Sequence, residues 1–152
     1  MTEITLLRNR YASVLTERLG LVVEMGDDVA MLLRFTDGGI RFMLVGSAQD
    51  PSFMGLHVYV QPTWLNGGEP VERQVAAAAA AELCRSFKVL KAFMEDDEVL
   101  AFRYELLVAP TDCLPTEETL LGVLPRAIKA THEGLADMHE RLQLETLAAN
   151  SA

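Results

Sequence analysis

The stretch MLLRFTDGGIRFMLV, residues 31–45, decides the fold. Two apolar, β-favouring runs flank a Thr-Asp-Gly-Gly segment, and Asp37-Gly38 is a hairpin signal. With the turn centred there, Phe35 faces Ile40, Leu33 faces Phe42 and Met31 faces Leu44, which makes one side of the ribbon wholly apolar. The same register sets Leu32 opposite Met43 and Arg34 opposite Arg41 on the other side. Two like charges directly across a ladder repel unless an acid lies beside them.

Working outward, the β pattern extends over residues 21–60, where LVVEM, VAMLLRF, IRFMLV and MGLHVYV are separated by the turn-forming clusters GDD, TDGG and GSAQDPS. This predicts three or so strands. Upstream, Ile4, Leu7, Tyr11, Val14 and Leu19 recur at helical steps, with Gly20 placed to end the helix. Downstream, Pro62, NGG and Pro70 make a loop, and Pro70 is suited to start a helix running to about Phe87. KVLKAFM and EVLAFRYELLV then form a second hairpin around the acidic turn EDDE, pairing Phe93 with Leu100, Ala92 with Ala101 and Lys88 with Glu105. From about Pro115 the seam Leu121, Leu124, Ile128, Thr131, Leu135, Met138 and Leu142 predicts an amphipathic helix, kinked or interrupted near Pro125.

The expected fold is therefore α+β, an antiparallel sheet of about five strands with three helices in the order α-β-β-β-α-β-β-α. Residues 1–145 are expected to form a single domain, and residues 146–152 a flexible, frayed tail. Half of the 152 residues are apolar, and 13 Lys+Arg against 22 Asp+Glu leave a formal charge of -9. Such a surface repels polyphosphate, so no nucleic-acid partner is expected. The opening MTEITLLRNRYASVL lacks the basic-then-apolar order of a secretory signal, and no apolar run approaches the roughly 20 residues of a membrane span. A cytoplasmic protein without membrane insertion is the expectation. Cys84 and Cys113 form no C-x-x-C and read as free thiols.

Chemistry has few footholds. His132 and His139, with Glu133, Asp137 and Glu140 nearby, share one predicted helix, but seven residues separate the histidines by about 10.5 Å of rise, too far for one ion without further ligands. GDD and EDDE lack the alternating ligand spacing of a calcium loop. No G-x-S-x-G, P-loop or dinucleotide fingerprint occurs. No cofactor and no enzyme activity are expected, and a small metal-dependent enzyme on the His132–His139 helix is the alternative from a different class. The mixed side of the sheet is more informative, because it gathers Leu32, Arg34, Arg41, Met43, Val45, His57, Tyr59 and Gln61, followed by Trp64. Aromatic, Met and Arg side chains are the types enriched in binding patches.

The order of elements suggests a family. The opening helix ending LTERLGL, the hairpin FTDGGIRF, the alanine-containing helix leading into FKVLKAFMEDDEVLAFRYELLV, and the closing amphipathic helix together resemble the YbjN family over residues 6–142. That family is classed with bacterial sensory-transduction regulators and shares the architecture of type III secretion chaperones. Many members carry asparagines near the end of the middle helix, where this chain has AAELCRSFKV. The resemblance implies a homodimer that binds a protein partner or client and is not an enzyme, either a regulator or a type III secretion effector chaperone. The run QVAAAAAAELCRSF, residues 74–87, gives its helix a shallow stripe along Val71, Val75, Ala79, Leu83 and Phe87. It can lie flat on its own sheet, or, as the resemblance allows, form a dimer interface through Val75, Ala78, Ala79 and Leu83.

Overall fold

The computed structural model describes residues 3–26, 31–47, 49–96 and 98–151. Helix α1 (Glu3–Ser13) runs into a wide turn at Val14–Arg18, whose Leu19 N–H donates to the Val14 carbonyl at 3.1 Å, and Gly20 ends it at a φ of 68°. Strands β1 (Val23–Met25), β2 (Met31–Asp37), β3 (Ile40–Gly46) and β4 (Phe53–Val60) follow. Then come the short α2 (Pro62–Leu65), α3 (Arg73–Ser86), β5 (Leu90–Met94), β6 (Leu100–Leu107) and the long α4 (Glu117–Ser151). Among the described residues the strands make one six-stranded antiparallel sheet in the order β1-β2-β3-β4-β6-β5. The expected class is present with one more strand and one more helix, since β1 pairs as a separate strand and α2 occupies part of the expected loop.

Both hairpin registers differ from expectation, with different consequences. In the first, Asp37 pairs with Ile40, Phe35 with Phe42 and Leu33 with Leu44. The two-residue turn is therefore Gly38-Gly39, with φ of 55° and 77°, the left-handed pair that glycine adopts without strain. This is a slip of two residues, so every side chain keeps its predicted face. Phe35 and Phe42 consequently stack with ring centroids 5.1 Å apart. In the second hairpin Ala92 pairs with Phe102 and Phe93 with Ala101, one residue away from the expected pairing. Glu95 N–H donates to the Val99 carbonyl at 2.9 Å, so three residues form the loop, and Lys88 lies outside β5. Asp97 of that turn, like Asp27 and Asp28 of GDD, lies outside the described residues.

The contacts group the chain into two compact units. The first comprises residues 1–58 and 105–128. Its core is built from Leu7, Tyr11, Val14 and Leu15 against Met31, Leu33, Phe42, Leu44, Met54 and Leu56, all fully buried. Arg10 donates to the Pro115 carbonyl at 2.9 Å, and the Thr116 hydroxyl accepts the Thr119 N–H at 3.1 Å, capping α4 two residues after the expected start at Pro115. Helix α4 continues through Pro125, which is exposed, with Leu120, Leu124, Ala127 and Ile128 buried on either side of it. The expected interruption is absent because packing of those flanks offsets the loss of one helical hydrogen bond.

The second unit comprises residues 59–104 and 129–152. Helix α3 begins at Arg73 rather than Pro70, and Ala76, Ala79, Ala80 and Leu83 are buried along its length. The helix packs on β5 of its own sheet. Cys84 sits 3.2 Å from both the N–H and the carbonyl of Ala92, so one thiol serves both main-chain groups of a residue on the edge strand. Arg103 lies 5.0 Å from the Phe93 ring centroid and 3.6 Å from Glu95. Residues 146–151, where fraying was expected, continue α4 to Ser151.

Two glycines of α4 are expected to respond oppositely to alanine. A methyl at Gly122 meets nothing within 4 Å, so Gly122→Ala should stabilise by about 1 kcal/mol through helix propensity. A methyl at Gly134 runs into the side chain of Leu90, which is 1% exposed, so Gly134→Ala should lose stability by about 1–3 kcal/mol in urea unfolding. The fully buried Tyr11 hydroxyl has no hydrogen-bond partner among the described residues, and burial raises its pKa above the usual 10.0. Because the folded value is the higher one, the native state loses stability as pH rises past 10.0. Tyr11→Phe should therefore lose less stability than the unaltered chain between neutral pH and that range, measured by parallel urea titrations.

Candidate partner-binding face

Alternation along β2, β3 and β4 sends Met31, Leu33, Phe35, Ile40, Phe42, Leu44, Met54, Leu56 and Val58 into the core. The intervening residues form the outer face of the first unit in ladder rows. Leu32 lies across from Val45 and Val45 from Gly55; Arg34 lies across from Met43 and Met43 from His57; Thr36 lies across from Arg41. Leu32, Arg34, Met43, Val45 and His57 are half-buried, and Arg41 is exposed. The structure thus brings six of the predicted partner-binding residues together on one face.

The two arginines do not confront each other, because the two-residue slip moves them to diagonal positions. The acid that the sequence reading called for is Glu24, directly opposite Arg34 on β1 and 3.2 Å from the Arg41 guanidinium. Both partners of that ion pair are more than two-thirds exposed, so it orders the surface more than it stabilises the fold. Glu24, Arg34, Thr36 and Arg41 line a cleft of about 400 Å³ to which Leu21 and Val22 also contribute. Glu24 escaped the sequence reading because LVVEM, although set apart by GDD, has no register against the hairpin in that reading.

His57 occupies the same face with its side chain 13% exposed and Nε2 3.6 Å from Glu105 Oε1. Its ring folds back over Gly55, where a Cβ would come within 2.8 Å of Nε2. Gly55 is therefore the vacancy that lets an imidazole lie flat on the strand. Nothing in the linear spacing links Glu105 to His57.

The remaining predicted residues belong to the second unit. Tyr59 is 37% and Trp64 is 56% exposed, and the Gln61 carbonyl accepts the Trp64 N–H at 3.1 Å at the start of α2. Of the four residues considered for a dimer interface, Ala79 and Leu83 are fully buried within the chain, and only Val75 and Ala78 retain accessible surface. His139 is engaged through Nδ1 with the Leu65 carbonyl, while Gln143 donates to Asn66 at 2.8 Å, so this side of α4 holds the segment after α2. His132 is half-buried and has interactions of its own. Among the described residues there is no group of three or more His, Cys, Asp or Glu side chains able to hold a metal ion. Among the same residues, no helix is long and apolar enough to cross a membrane.

No family model and no curated protein matches the sequence. The structure is similar to the crystal structure of YbjN from E. coli, a candidate transcription regulator, with a TM-score of 0.55 and 16% identity, covering 95% of this chain and 92% of that one. At that identity the shared property is the fold, and it is the fold expected from the order of elements.

Gly55→Ala should cost about 1–3 kcal/mol in urea unfolding, because the new methyl displaces the His57 ring. In a His57→Ala background the same change should be neutral or favourable. The two costs simply adding would show that ring and glycine do not interlock.

Proposed function

We propose that this chain is a non-enzymatic, protein-binding regulator of the YbjN type that works as a homodimer in the cytoplasm, with residues 1–145 acting as one α+β domain. The observation that carries the reading is the likeness of fold to YbjN, itself a candidate regulator, across 95% of the chain. The outer face of β2–β4 supports a place for the partner. It combines Leu32, Met43 and Val45 with Arg34 and Arg41, and none of these side chains is wholly withdrawn from solvent. An apolar patch threaded with arginine has the composition of a protein interface. The whole chain's formal charge of -9 argues for a protein partner over a nucleic acid. On α3, Val75 and Ala78 are the proposed points of contact between subunits, since the helix buries its other side on its own strand.

Light scattering on the purified chain should return the mass of two copies, and Ala78→Glu should shift it toward one copy without altering the far-ultraviolet dichroism. A single-copy mass for the unaltered chain would remove the dimer from this proposal. Affinity capture from the source cell with mass spectrometry should enrich a specific protein, with capture reduced by Met43→Asp on the outer face. Failure of the unaltered chain to retain any protein would remove the binding role itself.

A further inference from the structure

The arginines on the outer face of the first unit are unequally satisfied. Arg41 pairs with Glu24, whereas Arg34, half-buried and directly across the ladder from the same acid, has no ion pair or hydrogen bond from its side chain among the described residues. One carboxylate therefore stands beside two guanidiniums and pairs with only one of them. A partly desolvated cation without a counter-ion is unfavourable, and a second carboxylate beside Arg34 would balance the cluster. The cluster is also concave, because Glu24, Arg34, Thr36 and Arg41 line a cleft of about 400 Å³. Leu21 and Val22 line it as well, and Val22 is 85% exposed.

We propose that this cleft receives an acidic segment of a partner protein, with one carboxylate on the Arg34 fork, the Thr36 hydroxyl as a further donor, and a neighbouring apolar side chain on Leu21 and Val22. The inference rests on the protein-binding reading above and gives it a location and a chemistry. Guanidinium matches carboxylate in a planar, two-bond geometry that a lysine does not reproduce. The apolar surface beside the charges favours a peptide over a free acid, since a lone carboxylate leaves Val22 uncovered. The overall charge of -9 repels acidic chains at long range, so only a segment that reaches the two arginines is retained.

Fluorescence anisotropy with a labelled peptide of alternating leucine and glutamate tests the assignment. The peptide should bind the full chain, and the same peptide with glutamine in place of glutamate should bind at least about tenfold more weakly. Arg34→Gln should weaken the glutamate peptide by about tenfold or more. Val22→Asp should weaken it too, at a position too exposed for the change to threaten folding. Equal binding of the two peptides, indifference to both substitutions, or full displacement by free N-acetylglutamate at the peptide's own concentration would overturn the cleft as a peptide site. If the cleft fails in this way while Arg34→Gln still captures the cellular partner, the protein-binding reading survives without it. Failure of the unaltered chain to capture any partner strikes the reading itself.

Discussion

The left-handed pair Gly38-Gly39 is the constraint on which the first unit depends. Two consecutive residues at positive φ close a hairpin with the right twist, and they fix Asp37 against Ile40. Everything along β2 and β3 then follows by counting in twos. Phe35 stacks on Phe42, Leu33 meets Leu44 in the core, and Arg34, Arg41 and Met43 are left on the outer side. Lengthening the turn by a single residue would turn one strand over relative to the other, setting one of the two arginines in the core and one of the two phenylalanines in water. The cost of burying an unpaired guanidinium excludes that alternative.

The same counting explains how much of the fold was legible in the sequence. Centring the first turn on Asp37-Gly38 misplaced the register by two residues, yet the faces survived because two is the period of a strand. Hence the inward set and the outer set were both readable from alternation alone. The second hairpin was misplaced by one, and there the error matters. Leu90, Ala92, Leu100 and Phe102 are all even-numbered and buried, a pattern that requires an even sum of partner numbers, whereas the expected pairing gave an odd one. The acidic turn has no glycine to declare its length, so the usual local signal was missing. Helix α4 was legible from Leu124 to Leu142, since its stripe repeats at three and four, but its passage through Pro125 was not. Propensity alone places a break there, and only the packing of Leu124 and Ala127 overrides it.

The candidate face was legible in kind and not in pairing. Alternation assigned Leu32, Arg34, Met43, Val45 and His57 to one side, but the acids that accompany the basic groups come from β1 and β6, far away in sequence. Long-range neighbours of this sort leave no trace in local spacing. The alanine run shows the reverse. Its shallow stripe is a local property, and the structure uses it to lay α3 on β5, where the small side chains at 76, 79 and 80 are buried. Ala79 and Leu83, which sequence alone could have assigned to either side of the helix, are fully buried within the chain.

Cys84, by engaging both main-chain groups of Ala92, closes the β5 end of the sheet at that residue, while β1 forms the opposite border. Endless polymerisation of a sheet requires two compatible borders on each copy, one to offer and one to accept. A strand added at the β5 border would therefore have to displace the Cys84 thiol before pairing with Ala92.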